Sequence, residues 1–191
     1  PKSFRPRTTD SRHGLGYSPH RLIDARPPTD RNQIWVGDIT YIPLKRRTFG
    51  YLSVLMDLFS RRIVSWELSE NMKESLTLAA LRQAIRIRQP RPGMIHHTDR
   101  GGQYAGTEYR RVLDRAGAIQ SMSRANNCYD NAFMESCFGT IKTELEMAEY
   151  ENGLVARREV AAYVNYYNTA RRHSSLDYMT PSEFEGELAP N

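Results

Sequence analysis

Three runs rich in β-branched and aromatic residues follow closely on one another: Ile34 to Leu44 (I-W-V-G-D-I-T-Y-I-P-L), Tyr51 to Leu58 (Y-L-S-V-L-M-D-L) and Ile63 to Leu68 (I-V-S-W-E-L). The links between them, K-R-R-T-F-G and a short turn around S-R-R, leave room only for antiparallel neighbours, so the chain commits early to a three-stranded antiparallel sheet. Asp38 falls in the middle of the first run. A carboxylate there costs stability unless it is solvated, paired or bound to a cation, and the strand holds no basic residue of its own. An edge position or a cross-strand partner meets that demand as well as a metal does. Asp57 could lie opposite Asp38 across the hairpin; we read it as a strand-end residue beside the S-R-R turn.

Beyond Leu68 the pattern changes period. Asn71 with Glu74 three residues later forms a capping-box signature, and Leu78, Leu81, Ala84 and Ile85 make a helical apolar face, with Arg82 and Arg86 outward and Pro90 and Pro92 beyond the end. Met94 to His96 is a short strand that delivers H-T-D-R-G-G-Q-Y, and Tyr109, Val112, Leu113 and Ala116 mark a second helix closed by Gly117. Strand, acidic tip, helix places Asp99 at the carboxyl end of a parallel strand, where open α/β sheets keep their sites. An Asx turn explains D-R-G-G equally well. Ala118 to Met122 is a fifth strand. The polar loop Ser121 to Cys128, with Arg124 its basic residue, is expected to be mobile until it meets an anion.

The stretch from Cys128 to Leu145 then puts Met134, Phe138, Ile141, Leu145 and, just beyond, Ala148 on one helical face. Glu135 and Lys142, seven apart, share an adjoining stripe with backbones about 10 Å apart. Asn127 or Asp130 can cap this helix. Val155 to His173 is a further aromatic helix whose Arg171, Arg172 and His173 either complement its dipole or grip DNA. Thr180, Pro181 and Glu183 form a capping box with Met179 and Phe184 as its hydrophobic staple. The expected class is α/β: a five-stranded mixed sheet, three antiparallel strands and then two parallel ones, flanked by helices. Its expected division is an extended basic arm over 1–31, a sheet-and-helix core over 32–150 and a C-terminal helical extension over 151–191.

A chain of 191 residues with a net charge of +5 and a pI near 9.3 favours an anionic partner. Arginine carries that charge, 23 of the 27 basic residues, and its planar fork suits phosphate, although codon bias also enriches it. The arm, with five of the ten prolines and seven basic residues, is either a solvated linker or lies along DNA. No apolar run is long enough for a membrane span. With only Cys128 and Cys137, the cysteine count fits a reduced, cytoplasmic protein. A zinc site joining them to His96 and His97 lacks the usual ligand spacing. The opening without Met leads us to expect a piece of a longer chain.

W-V-G-D-I-T-Y around Asp38, D-L-F-S-R-R-I-V-S-W from Asp57, H-T-D-R-G-G-Q-Y around Asp99 and the run from S-M-S-R at Ser121 through N-C-Y-D-N-A and the E-S that begins at Glu135 to K-T-E-L at Lys142 together resemble bacterial insertion-sequence transposases. The family is the one typified by insertion sequence three, whose catalytic core is similar to that of retroviral integrases and has an RNase H-like fold. The likeness extends through Y-N-T-A-R-R-H-S-S-L and T-P-S-E-F. Asp99 and Glu135 are separated by 35 residues (135 − 99 − 1), the spacing that names this D-D-E group. Two positions depart from it: Gly37 stands where many members carry Thr, and Asn126 where many carry Gly.

The resemblance implies a polynucleotidyl transferase in which Asp38, Asp99 and Glu135 are catalytic and hold two Mg2+ ions about 3.5–4 Å apart once DNA is bound, with Mn2+ a substitute. It implies cleavage of transposon-end DNA followed by strand transfer into another end or a target. Lys142, Arg124, Arg100, Gln103, Asn131, Arg171, Arg172 and His173 are the expected DNA contacts. Implied partners are end DNA, target DNA, a second copy or higher homo-oligomer, and an upstream helix-turn-helix region. A two-metal nuclease of the same fold without strand transfer, or an idle DNA-binding remnant of a transposon, are the alternatives.

Overall fold

The computed structural model describes residues 13–124, 138–145 and 149–187. Ile34–Leu44 forms β1 and pairs antiparallel with Thr48–Asp57 (β2) along its whole length, from Trp35 opposite Asp57 to Leu44 opposite Thr48. The turn is tighter than the expected six-residue link. A three-residue 3-10 turn, Lys45–Arg47, closes it, because Arg46 and Arg47 take left-handed backbone (φ 62° and 58°) and so reverse the chain within two residues. Ile63–Ser69 (β3) continues the antiparallel sheet with an irregularity between Leu55 and Met56.

Ile95–Thr98 (β4) then adds parallel to the free edge of β1, and Ile119–Met122 (β5) adds parallel to β4, giving the order β3-β2-β1-β4-β5. The five-stranded mixed sheet is as expected. Ser121 and Met122 belong to β5, so the loop expected from Ser121 begins two residues later. Its continuation from residue 125, including Cys128 and the capping candidates Asn127 and Asp130, lies outside the described residues, as do Met134 and Ala148 of the expected apolar face.

Alternation along β1 sends its side chains into two cores. Trp35 and Ile39 pack with Leu76, Leu81, Tyr104, Tyr109 and Leu113 on one face, under the helices Glu74–Arg88 (α1), Gly102–Ala105 (α2) and Thr107–Arg115 (α3). Val36 and Ile42 pack on the other with Phe138, Ile141 and Leu145 of the helix at 138–145 (α4) and with Ala156, Val160 and Tyr167 of Gly153–Thr169 (α5). The apolar spacing read at 138, 141 and 145 is thus a core face. No helix among the described residues is long and apolar enough to cross a membrane.

Described segments on either side of the core lie against the sheet. The arm's Pro19 carbonyl accepts from Met122 N at 3.4 Å and its Arg21 N donates to Ser121 Oγ at 2.8 Å, so the arm runs beside β5. Tyr150 pairs with the end of β1 through Pro43 and Lys45. The last helix, Pro181–Glu187 (α6), carries the expected capping box: Thr180 N donates to Glu183 at 2.8 Å and Glu183 N to Thr180 Oγ1 at 3.2 Å. Helix α5, by contrast, ends at Thr169, so Arg171 to His173 lie beyond it rather than in its last turn.

The capping box expected at Asn71 does not form. Lys73 precedes α1 with no side-chain cap. The reason is that Glu74 is drawn elsewhere, its Oε1 accepting from Tyr109 N at 3.0 Å and so capping α3 from the neighbouring helix. Gly106, at the start of α3, makes room for that carboxylate, since a Cβ there would run into Glu74. Gly106→Ala should therefore cost about 1–3 kcal/mol and lower the melting temperature by roughly 2–4 °C per kcal/mol. An unchanged melting curve would show that Glu74 can move aside.

His96 on β4 is fully buried, 2.7 Å from the Tyr109 hydroxyl. Burial pushes its imidazole down to about 4, offset only in part by the Trp35 backbone. The unfolded chain titrates near ~6.5, so between these values it binds a proton that the folded chain refuses. Stability is present above pH ~6.5 and is lost as the pH falls, by about 3 kcal/mol on reaching pH ~4. Urea unfolding at stepped pH checks this, and His96→Gln should flatten that limb; equal slopes in the two proteins would refute it.

Candidate active site

Asp38 sits on β1 opposite Val54, on the face covered by α4. Its Oδ1 accepts from Ile39 N at 2.8 Å, and its Oδ2 is 2.6 Å from Lys142 Nζ on α4. The partner that the strand itself lacks is therefore supplied from 104 residues away. The side chains are partly open, 17% exposed for Asp38 and 35% for Lys142, so the pair contributes about 1 kcal/mol and can be exchanged for another cation.

Asp99 directly follows Thr98, the last residue of β4. The β1–β4 register runs Ile34 to Ile95, Trp35 to His96 and Val36 to His97, so Asp99 lies just past the end of the strand that neighbours β1. An Asx turn holds it, with Gly101 N donating to Oδ1 at 2.8 Å. The turn and the site are thus the same feature: the turn fixes the carboxylate at the mouth of the sheet. Beneath lies Tyr104, 1% exposed. Burial, then Asp99, and more weakly Asp38, raise its phenol well above the ordinary range, with Ser53 offsetting a little. One hydroxyl thus feels both acids. Tyr104 was not singled out from the sequence; its signal was the position five residues after Asp99, inside the same motif.

Glu135 and Asn131 lie outside the described residues, and among the described residues no three His, Cys, Asp or Glu side chains gather as a metal cluster. Asp38 and Asp99 are hard oxygen donors that suit a hard cation. His96 and His97 are instead buried against Tyr109, Ser121 and Ser123.

The model of an integrase core domain matches residues 28–128, and a second integrase core domain model matches 116–181. The chain belongs to the integrase core domain family. Within it, this integrase core stands with insertion-sequence transposases. The transposase of insertion sequence element IS904 from Lactococcus lactis is 46% identical over 92% of the chain and 70% of its own length. The transposase InsF of IS3A from Escherichia coli is 38% identical over 92% of the chain, which spans 61% of that relative. Among solved structures, the catalytic core of HTLV-2 integrase in complex with magnesium superposes with a TM-score of 0.62 at 19% identity, covering 81% of this chain and 96% of that one. Integrase in the simian T-cell lymphotropic virus intasome gives 0.67 at 18% identity, over 96% of this chain and 64% of that one. These two likenesses carry the RNase H-like fold.

The other expected DNA contacts of this integrase core are dispersed. Arg100 ties the site loop to neighbouring segments: its Nε donates to the Ser123 carbonyl at 2.6 Å, its guanidinium covers Tyr17 at 4.6 Å, and its carbonyl accepts from His13 at 2.9 Å. Gln103 donates to the Met72 carbonyl at 3.2 Å. Arg124 is exposed at the end of the described part of its loop. Arg171, Arg172 and His173 form a separate group beside Arg61, which sequence reasoning treated only as part of a turn.

Asp57 lies opposite Trp35, as the strand-end reading required. It is fully buried and caps the following turn, accepting from Asn32 N at 2.6 Å, Phe59 N at 2.9 Å and Ser60 N at 3.2 Å. Burial raises its carboxyl, against the pull of these bonds and of Arg88.

Because Lys142 occupies Asp38, a metal ion at that carboxylate would have to displace it. Lys142→Ala should tighten Mg2+ binding to the DNA-free protein roughly five-fold, the equivalent of ~1 kcal/mol, measured by titration calorimetry. Equal or weaker affinity in the variant would mean that the ammonium is no competitor.

Proposed function

We propose that this chain is the catalytic core of an insertion-sequence transposase that cuts transposon-end DNA and joins the freed 3′ end to a second strand at one metal-dependent site. The observation that carries this reading is Asp38 on β1 and Asp99 directly after the parallel strand β4, both felt by the one buried Tyr104 hydroxyl, with Asp38 already paired to an ammonium. Glu135, seven residues before Lys142, is the third acid. Two Mg2+ ions held by these three carboxylates, or Mn2+ in their place, would activate the attacking oxygen and stabilise the leaving 3′ oxygen. The magnesium complex formed by the HTLV-2 core supports the choice of metal.

The chain's own residues do the positioning. The register fixes Asp38, the Asx turn fixes Asp99, and the Phe138–Ile141–Leu145 face anchors α4. Lys142, released from Asp38, is within reach of a phosphate near the terminal base pairs, where Arg124 joins it. Tyr104 closes the floor and keeps water from the back of the two acids. We assign end DNA and target DNA as substrates, a homodimer or larger assembly as the working form, as the trimeric form of the HTLV-2 core supports, and an upstream helix-turn-helix region as the source of end recognition.

Asp38→Asn, Asp99→Asn and Glu135→Gln should each abolish end cleavage and strand transfer together, with folding unchanged, because one site serves both steps. Gel assays with blunt and pre-cut donor ends make the measurement. Strand transfer persisting in any variant would sink the shared site, and hydrolysis without joined products in the parent would identify a nuclease instead.

A further inference from the structure

A polar hollow of about 460 Å3 has walls that include Arg61, Arg171, Arg172, His173, Ser174 and Ser175. Met56 and Thr140 border it. Met56 faces Val36, two residues before Asp38 and so roughly 7 Å along β1; Thr140 lies two residues before Lys142 on α4. The hollow therefore opens on the same sheet face as Asp38.

Its lining is rich in donors. Arg171 Nη1 is 3.4 Å from His173 Nδ1. A guanidinium only donates, so Nδ1 accepts and the neutral ring carries its proton on Nε2. That Nε2 is buried with no hydrogen-bond partner. Burial, Arg171 and Arg61 hold the ring down to about 4, with Glu144 opposing. The acid nearest to Arg171 is this same Glu144, 3.5 Å from its Nε and already taking the Tyr163 hydroxyl at 2.6 Å. Arg61 keeps its place at a left-handed φ of 60°, and Asp177 and Tyr178, also left-handed at 51° and 61°, turn the chain back over the hollow, where Arg172 Nη1 donates to the Tyr178 carbonyl at 2.9 Å. Three arginines share this hollow, and an anion bound there would offset their mutual repulsion.

We infer that the Arg61–Arg171–His173 hollow is a phosphate subsite that clamps the DNA backbone on the sheet face that carries Asp38. This rests on the reading of DNA as substrate but not on the metal site. The guanidinium forks bind one backbone phosphate bidentately, and the His173 ring, in contact with Arg171, senses the bound charge. On the same sheet face as Asp38, the clamp holds the backbone of a bound strand against the core.

The test uses the whole chain in EDTA, so that failure of the acidic triad cannot affect it. Duplex binding is measured against salt for the parent, Arg61→Ala, Arg171→Ala and the exposed control Arg115→Ala. The slope of log K against log salt should fall by about 1 in each clamp variant and stay near the parent value in the control. In parallel, the His173 ring resonance of the unmodified protein is titrated with pH, alone, with duplex and with inorganic phosphate. DNA in the clamp should raise the pH at which that ring titrates, since the bound phosphate offsets Arg61 and Arg171. Slopes equal to the parent in the folded variants, or a His173 titration that DNA leaves unmoved, overturns the clamp. Saturation by free phosphate without competition from duplex also overturns it, because the occupant would then be a free anion.

Discussion

Everything near the site answers to one constraint: β1 is buried on both faces, and it carries a carboxylate. A charge in such a strand must be paired or hydrated. The strand's own neighbours, Val54 across the hairpin and the apolar rows to either side, provide no countercharge, so the fold brings one on α4 as Lys142. That requirement sets the position of α4, whose Phe138, Ile141 and Leu145 bind it to the face on which Asp38 emerges. A helix held by three apolar contacts and one exchangeable ion pair can remain in place when the ion pair is replaced.

The two acids of the first hairpin show how environment divides identical chemistry. Asp57 is sealed at the strand end and spends its oxygens on three backbone amides. Nearby, Arg88 is engaged by Glu185 through two hydrogen bonds of 2.8 and 2.6 Å, and Ser60 donates to the same carboxylate at 2.7 Å. Burial raises Glu185, but the Arg88 and Ser60 bonds outweigh it and keep the group below its usual range. This closed network locks α6 to the sheet. Asp38, by contrast, accepts one amide and one ammonium and keeps a partly open face. The first arrangement suits structure, the second exchange.

The described segments that flank the core complete the sheet in a way that composition alone obscured. A proline-rich basic segment reads as a linker, yet residues 18–21 run beside β5 and cover an edge that would otherwise invite pairing with another chain. Residues beyond 149 extend the second core through Ala156, Val160 and Tyr167. The arginines that follow α5 then turn back toward α4 and Arg61, which assembles a basic hollow from segments more than 100 residues apart.

Strand and helix type were legible because hydrophobic period is a local property: the runs at Ile34, Tyr51 and Ile63 and the helical faces around Leu81 and Leu113 could be read from neighbours alone. The capping box at Thr180 was legible for the same reason, since both of its partners lie within one turn. The acids were legible through motif and spacing, and Asp38 also through its misfit in an apolar strand. What required the tertiary structure was every choice between competing partners. Glu74 could cap its own helix or another, and packing of α1 on α3 gave it to Tyr109. Lys142 could point to solvent or to an acid, and the seating of α4 gave it to Asp38. Arg61 joined Arg171 and His173 only because β2 and the segment after α5 meet. Period and propensity are written along the chain, whereas a charge finds its partner through space, and only the folded sheet decides which groups that space brings together.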